Sequence, residues 1–115
     1  MVEFSVNHFD NDIVEVKING RLDIQGVGSI ETAFTVQAAG QKSKVIVDLS
    51  GVDFMSSIGI RLLVTASKAQ LSRGGSLVLL SPQPLVREII VVSGIDMLIP
   101  IYDNFDDASK HAVAM

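Results

Sequence analysis

Two adjacent serines, Ser56 and Ser57, followed by Ile58 and Gly59, close the run Asp48-Leu49-Ser50-Gly51-Val52-Asp53-Phe54-Met55. A serine at a helix start usually caps it, its oxygen accepting an orphan backbone N–H. A serine that attacks a substrate needs a base within reach, and this chain offers none. His8 falls in the first strand and His111 in the terminal helix. With no cysteine in the chain, disulfides, thiolate zinc sites and thiol nucleophiles are removed together. Two distant histidines make no metal site either. A phosphoaspartate receiver would need an acidic pair after its first strand, an acceptor Asp and a later Lys. Asp48 could pose as the acceptor, but Asp10 and Asp12 sit in turn chemistry, and the apolar run Leu77–Leu80 leads into Ser-Pro-Gln-Pro without a Lys. The glycines fit turns and helix ends, not a phosphate-binding loop. These residues point to a binding protein that is not an enzyme and holds no cofactor and no metal.

The elements around the serines follow from hydrophobic period. Val2 to His8 alternates Val2, Phe4 and Val6 against Glu3, Ser5 and Asn7, as a half-buried strand does. Asp10-Asn11-Asp12 turns the chain, and Ile13 to Ile18 returns as a second strand ending at Asn19-Gly20. Val27, Ile30, Phe34 and Ala38 recur at helical spacing, and Gly40 closes that helix. Val45-Ile46-Val47 is a short buried strand, followed by a loop that enters a second helix, Ile58 to Arg73. Its apolar stripe is Ile58, Leu62, Ala66 and Ala69, widened by Leu63, which leaves Arg61, Thr65 and Lys68 toward solvent. Leu77–Leu80 is the next strand. Pro84 opens a third helix whose apolar side is Leu85, Val86, Ile89, Ile90 and Val92, although Ile89 to Val92 could also read as a strand. Ile99 to Tyr102, with Pro100, suits an edge strand. Asp103 or Asn104 then caps a final helix, with Asp106 and Asp107 in its first turn and Lys110 and His111 near its end. The order β-β-α-β-α-β-α-β-α predicts an α/β fold, a mixed and mostly parallel sheet of about five strands with about four helices.

Composition sets the boundaries. The chain has 115 residues, 48% hydrophobic and 19% charged, which suits one packed domain over 1–115 and excludes disorder. Its nine basic residues are scattered under a net charge of −4, so no nucleic acid partner is expected. No apolar stretch approaches the roughly 20 residues of a membrane span, and no signal peptide precedes Val2. A cytoplasmic protein with no membrane partner, monomeric or weakly dimeric, is expected.

The run from Val45 to Leu63, with Gly20-Arg21-Leu22-Asp23 before it and Ser93-Gly94-Ile95 after it, resembles the STAS family, named for sulphate transporters and anti-sigma factor antagonists. The resemblance spans essentially the whole chain in the same element order and implies a single STAS-like domain. For a free-standing member of this length it implies an anti-sigma factor antagonist. Such a protein, unphosphorylated, binds an anti-sigma factor that is also a serine kinase and so releases a sigma factor. The kinase then phosphorylates the antagonist, and a PP2C-type phosphatase reverses this. Aligned on Phe54-Met55 and Gly59, the phosphorylated residue corresponds to Ser57, with Ser56 the second choice. The chain departs from the pattern twice: Ser56 stands where the family has Asp, and Ile58 where it has a small residue. Asp23 is either a cap of the following helix or a partner contact. The expected partner surface comprises Asp23, Met55, Ser56, Ser57, Ile58, Arg61 and Val91, the last on a side of the third helix that Arg87 and Glu88 mark as exposed. The alternative within the family is a regulatory or scaffold subunit of a stress-signalling assembly or of a lipid-transport ATPase, outside any sigma-factor pathway.

Overall fold

A computed structural model describes residues 2–114, and side chains through residue 110. The side chain of His111 therefore lies outside the described residues. Five strands form one sheet in the order of the chain: β1 (Glu3–His8), β2 (Ile13–Leu22), β3 (Lys44–Met55), β4 (Ser76–Leu80) and β5 (Ile101–Tyr102). β1 and β2 pair antiparallel, as the turn between them requires, with Asn11 and Asp12 both at positive φ. All later pairings are parallel. Four helices follow their strands as expected: α1 (Ile24–Ala39), α2 (Ser57–Ser72), α3 (Pro84–Val92) and α4 (Phe105–Ala114), with a 3₁₀ turn at Ile95–Met97. Asn104 caps α4 by accepting the Asp107 N–H at 2.8 Å.

The sheet has two apolar faces of unequal size. Val14, Val16 and Ile18 of β2, Val45, Val47 and Leu49 of β3, and Leu77 and Leu79 of β4 join one core. It includes Val27, Ile30 and Phe34 of α1, Leu62, Leu63 and Ala66 of α2, and Val86 and Ile90 of α3. The alternate residues Ile13, Ile46, Val78 and Leu80 meet Ala108 and Phe105 of α4 in a smaller core. This is the period-2 alternation of strands buried on both sides.

Several boundaries differ from the expectations: the last strand is only Ile101–Tyr102, with Ile99 buried in the core before it, and the others lie near the site. The third strand does not stop at Val47 but runs to Met55, because β2 also continues to Leu22 and pairs along it. Ser50-Gly51 has turn chemistry, yet long-range pairing overrides it. Register shifts between Lys17 and Asn19 and between Gly20 and Arg21 absorb the mismatch, with Gly20 at φ 112°. The expected loop before α2 thus shrinks to Ser56. The first helix also begins earlier, at Ile24, because Asp23 starts it.

Candidate functional site

α2 begins directly where β3 ends, so Ser56 and Ser57 sit at the carboxyl edge of the sheet, where open α/β sheets place their sites. Ser56 occupies the N-cap position with extended backbone, yet its side chain caps nothing. Its hydroxyl instead donates to the Leu22 carbonyl at 2.8 Å, and its own N–H donates to the same oxygen at 3.0 Å. Gly59 packs over the same residue; a Cβ there would stand 2.9 Å from Leu22 Cβ and 3.0 Å from Leu22 O. Only a glycine lets the first turn of α2 come this close.

Ser57 is the first helical residue. It is exposed, and among the described residues its hydroxyl bonds nothing. It stands on the rim of an open groove of about 520 Å³ between α2 and α3, with Ile60, Leu85, Ile89 and Val92 as its apolar wall and Glu88 and Ser93 as its polar members. Leu85 is 52% and Val92 81% exposed, which corrects their expected place on the buried side of the third helix. That helix touches the core through Val86 and Ile90 alone. Two residues one turn apart suffice to seat so short a helix, so its other apolar residues turn outward. Met97, 91% exposed, ends the 3₁₀ turn, and Leu98, 42% exposed, follows it. Sequence reasoning passed over this aliphatic surface because apolar residues in a helix were read as core. The unusual density of such residues around Arg87 and Glu88 was the available signal.

The remaining expected site residues separate. Met55 is 1% exposed and belongs to the main core, so it leaves the expected surface: a strand end that meets both β2 and α2 has no face for a partner. Ile58 is half-buried against that core. Arg61 is exposed, as are Thr65 and Lys68. Val91 is 50% exposed but does not line the groove; its neighbour Val92 does.

Asp23 caps α1, its Oδ1 accepting the Gly26 N–H at 2.8 Å. That bond, and secondarily Arg21, whose Nε lies 3.5 Å from Oδ2, hold its carboxyl below the ordinary carboxylate value of 3.8. Arg21 also covers the Phe54 ring, its guanidinium carbon 4.4 Å from the centroid. Asp23 thus has a structural task, and it borders a separate hollow of about 360 Å³ with Val2, Arg21 and Gln25. Asp48 is 8% exposed and accepts the Ser50 N–H at 2.9 Å, with Lys17 at 4.0 Å. Asp53 is exposed, as is His8. Among the described residues no group of three His, Cys, Asp or Glu side chains could hold a metal ion, and no helix is long and apolar enough to cross a membrane.

Comparison with known proteins matches residues 5–108 to the family model described as the STAS domain. Among curated proteins, the anti-sigma-F factor antagonist RsfB of Mycobacterium tuberculosis is 22% identical over 98 residues, covering 85% of this chain and 80% of RsfB. Among solved structures, an anti-sigma factor antagonist from Mycobacterium paratuberculosis superposes with a TM-score of 0.86 at 23% identity, over 97% of this chain and 94% of that one. Unphosphorylated SpoIIAA matches with a TM-score of 0.79 at 20% identity, over 98% of each chain. Phosphorylated Bacillus SpoIIAA matches at 0.70 and 22% identity, over 95% and 98%.

Proposed function

The chain belongs to the STAS domain family, and on that premise we propose that it is an anti-sigma factor antagonist switched off by phosphorylation of Ser57. Unmodified, it binds an anti-sigma factor that is also a serine kinase and so frees a sigma factor in the cytoplasm; a PP2C-type phosphatase restores it. Relatives named as anti-sigma factor antagonists support this reading. The observation that carries it is the exposed, unbonded hydroxyl of Ser57 on the rim of an apolar groove.

The physics follows from that position. A phosphoserine adds roughly −1.5 to −2 charge. Helix N-termini welcome such charge through their unpaired N–H groups and dipole, and the first turn of α2 holds no acidic side chain to oppose it. The fold therefore survives the modification. A partner laid over Ile60, Leu85, Ile89 and Val92 does not tolerate it equally, because it must strip water from a dianion beside the Glu88 carboxylate. Arg61 and Lys68 are exposed on α2 outside the groove lining, and surface charges of this kind affect the rate of encounter more than the lifetime of a complex. The switch acts on the interface and leaves the fold in place.

Incubation with the anti-sigma kinase and ATP is expected to add one phosphate, located on Ser57 by peptide mass spectrometry, and Ser57→Ala to add none. Full phosphorylation of Ser57→Ala, or a phosphate mapped elsewhere, contradicts the reading.

A further inference from the structure

We infer that Ser56 is a positioning residue that latches the first turn of α2 onto the end of β2, and that it acts as a hydrogen-bond donor where a helix cap would act as an acceptor. Both donors of Ser56, the hydroxyl and the backbone N–H, converge on the Leu22 carbonyl at 2.8 and 3.0 Å. Leu22 is fully buried, and Gly59 closes over its Cβ and carbonyl oxygen with no room for a side chain. One residue of β2 is therefore gripped from two points of α2, three residues apart.

The latch has a cost at the helix terminus. A serine at the N-cap ordinarily accepts an N–H of the first turn; with its hydroxyl directed at Leu22, α2 has no side-chain cap. The Ser56 carbonyl still accepts the Ile60 N–H at 3.1 Å, so the helix starts in register while its earliest N–H groups stay unpaired. The latch also fixes the direction of the next side chain. With Ser56 turned inward onto the strand, Ser57 is left facing the groove with its hydroxyl unbonded. Treating Ser57 as the modified residue rests on the proposed function; the latch does not.

A donor and a cap respond oppositely to a carboxylate. Aspartate is among the best N-caps and its charge suits a helix N-terminus, but at neutral pH it has no proton to give and would set its charge against the Leu22 carbonyl. Threonine keeps the hydroxyl. Amide hydrogen exchange at pH 7 on the full chain, read at Ser56 or its replacement and at Ile60, separates the two roles, with thermal melting to correct for global stability. Ser56→Thr is expected to exchange within about twofold of the parent, and Ser56→Ala roughly five- to tenfold faster, the size of one neutral hydrogen bond. Ser56→Asp is expected to exchange at least as fast as Ser56→Ala. Exchange in Ser56→Asp slower than in Ser56→Ala, or no change in Ser56→Ala, overturns the latch. No partner enters this measurement. A latch that fails while Ser57 is phosphorylated by the kinase leaves the function standing, and a latch that holds in a protein the kinase ignores leaves the function alone refuted.

Discussion

α2 and α3 wall the same groove, but the fold holds them differently. α2 buries Gly59, Leu62, Leu63, Ala66, Ser67 and Gln70 along its length. Its start is tied to Leu22 through Ser56. Toward its end the fully buried Gln70 amide accepts the Ser43 N–H at 2.9 Å and donates to the Ala38 and Gln41 carbonyls at 2.8 Å each. α3 spans nine residues, buries Val86 and Ile90, and exposes Leu85, Val91 and Val92. The wall that carries the serine is thus built for fixed geometry, and the wall that carries the apolar contact area is a shallow attachment. Buried packing and exposed apolar area accordingly fall on different residues. On the proposed reading, a chemical change at Ser57 would reach a partner seated across α3 without passing through the core.

Substitutions that exchange these roles would break the comparison. The largest effect is expected at Met55, buried where β3 enters α2: Met55→Ala should cost about 3 kcal/mol in urea unfolding, a loss of stability with no separate loss of contact to the partner. Gly59→Ala should follow at about 2 kcal/mol, since its methyl must displace Leu22 or the helix itself. On the other wall the signs change. Val92→Asp should leave unfolding within about 0.5 kcal/mol of the parent, yet weaken binding of the anti-sigma factor about tenfold or more by calorimetry, because the new charge must be desolvated in the groove. Equal stability losses on both walls would abolish the distinction.

The smallest effect is expected at Asp23, which caps α1 and lies outside the groove. Because the Gly26 N–H, and to a lesser degree Arg21, lower the carboxyl pKa of Asp23 in the folded state, its charged form stabilises the fold. That contribution is complete above the unfolded value of 3.8 and is lost as pH falls through the lower folded value. The stability difference between the parent and Asp23→Asn should therefore be level near neutrality and shrink on acidification below that value. A difference that grows there would mean that Asp23 is not the α1 cap.

Which of these contrasts the sequence reveals depends on the range of the interaction that decides it. The hairpin, the helix beginning near the serine pair and the exposure of Arg61, Thr65 and Lys68 rest on local period, and each was legible. The motif also singled out Ser57, which the structure leaves exposed at the start of α2. The length of β3 was hidden because Ser50-Gly51 carries the local chemistry of a turn, whereas β2 pairing across a register shift decides the outcome. The direction of Ser56 was hidden for a similar reason: its partner, Leu22, is 34 residues away, and an N-terminal serine reads locally as an acceptor. Leu85 and Val92 were hidden because period identifies apolar residues without saying which of them the sheet has room to cover. Met55 is the converse case, a residue placed at the surface by its neighbourhood in the motif and inside by the packing of β2 against α2.

The central claim is that the unphosphorylated groove binds the anti-sigma factor and that a phosphate on Ser57 closes it to that partner. Isothermal titration of the anti-sigma factor with the parent chain, before and after stoichiometric phosphorylation of Ser57, tests this most directly. Circular dichroism of the two forms should be superimposable, while affinity should fall at least a hundredfold, about 2.7 kcal/mol. Equal affinity in the two forms, or a loss of affinity accompanied by loss of the folded signal, would contradict the account.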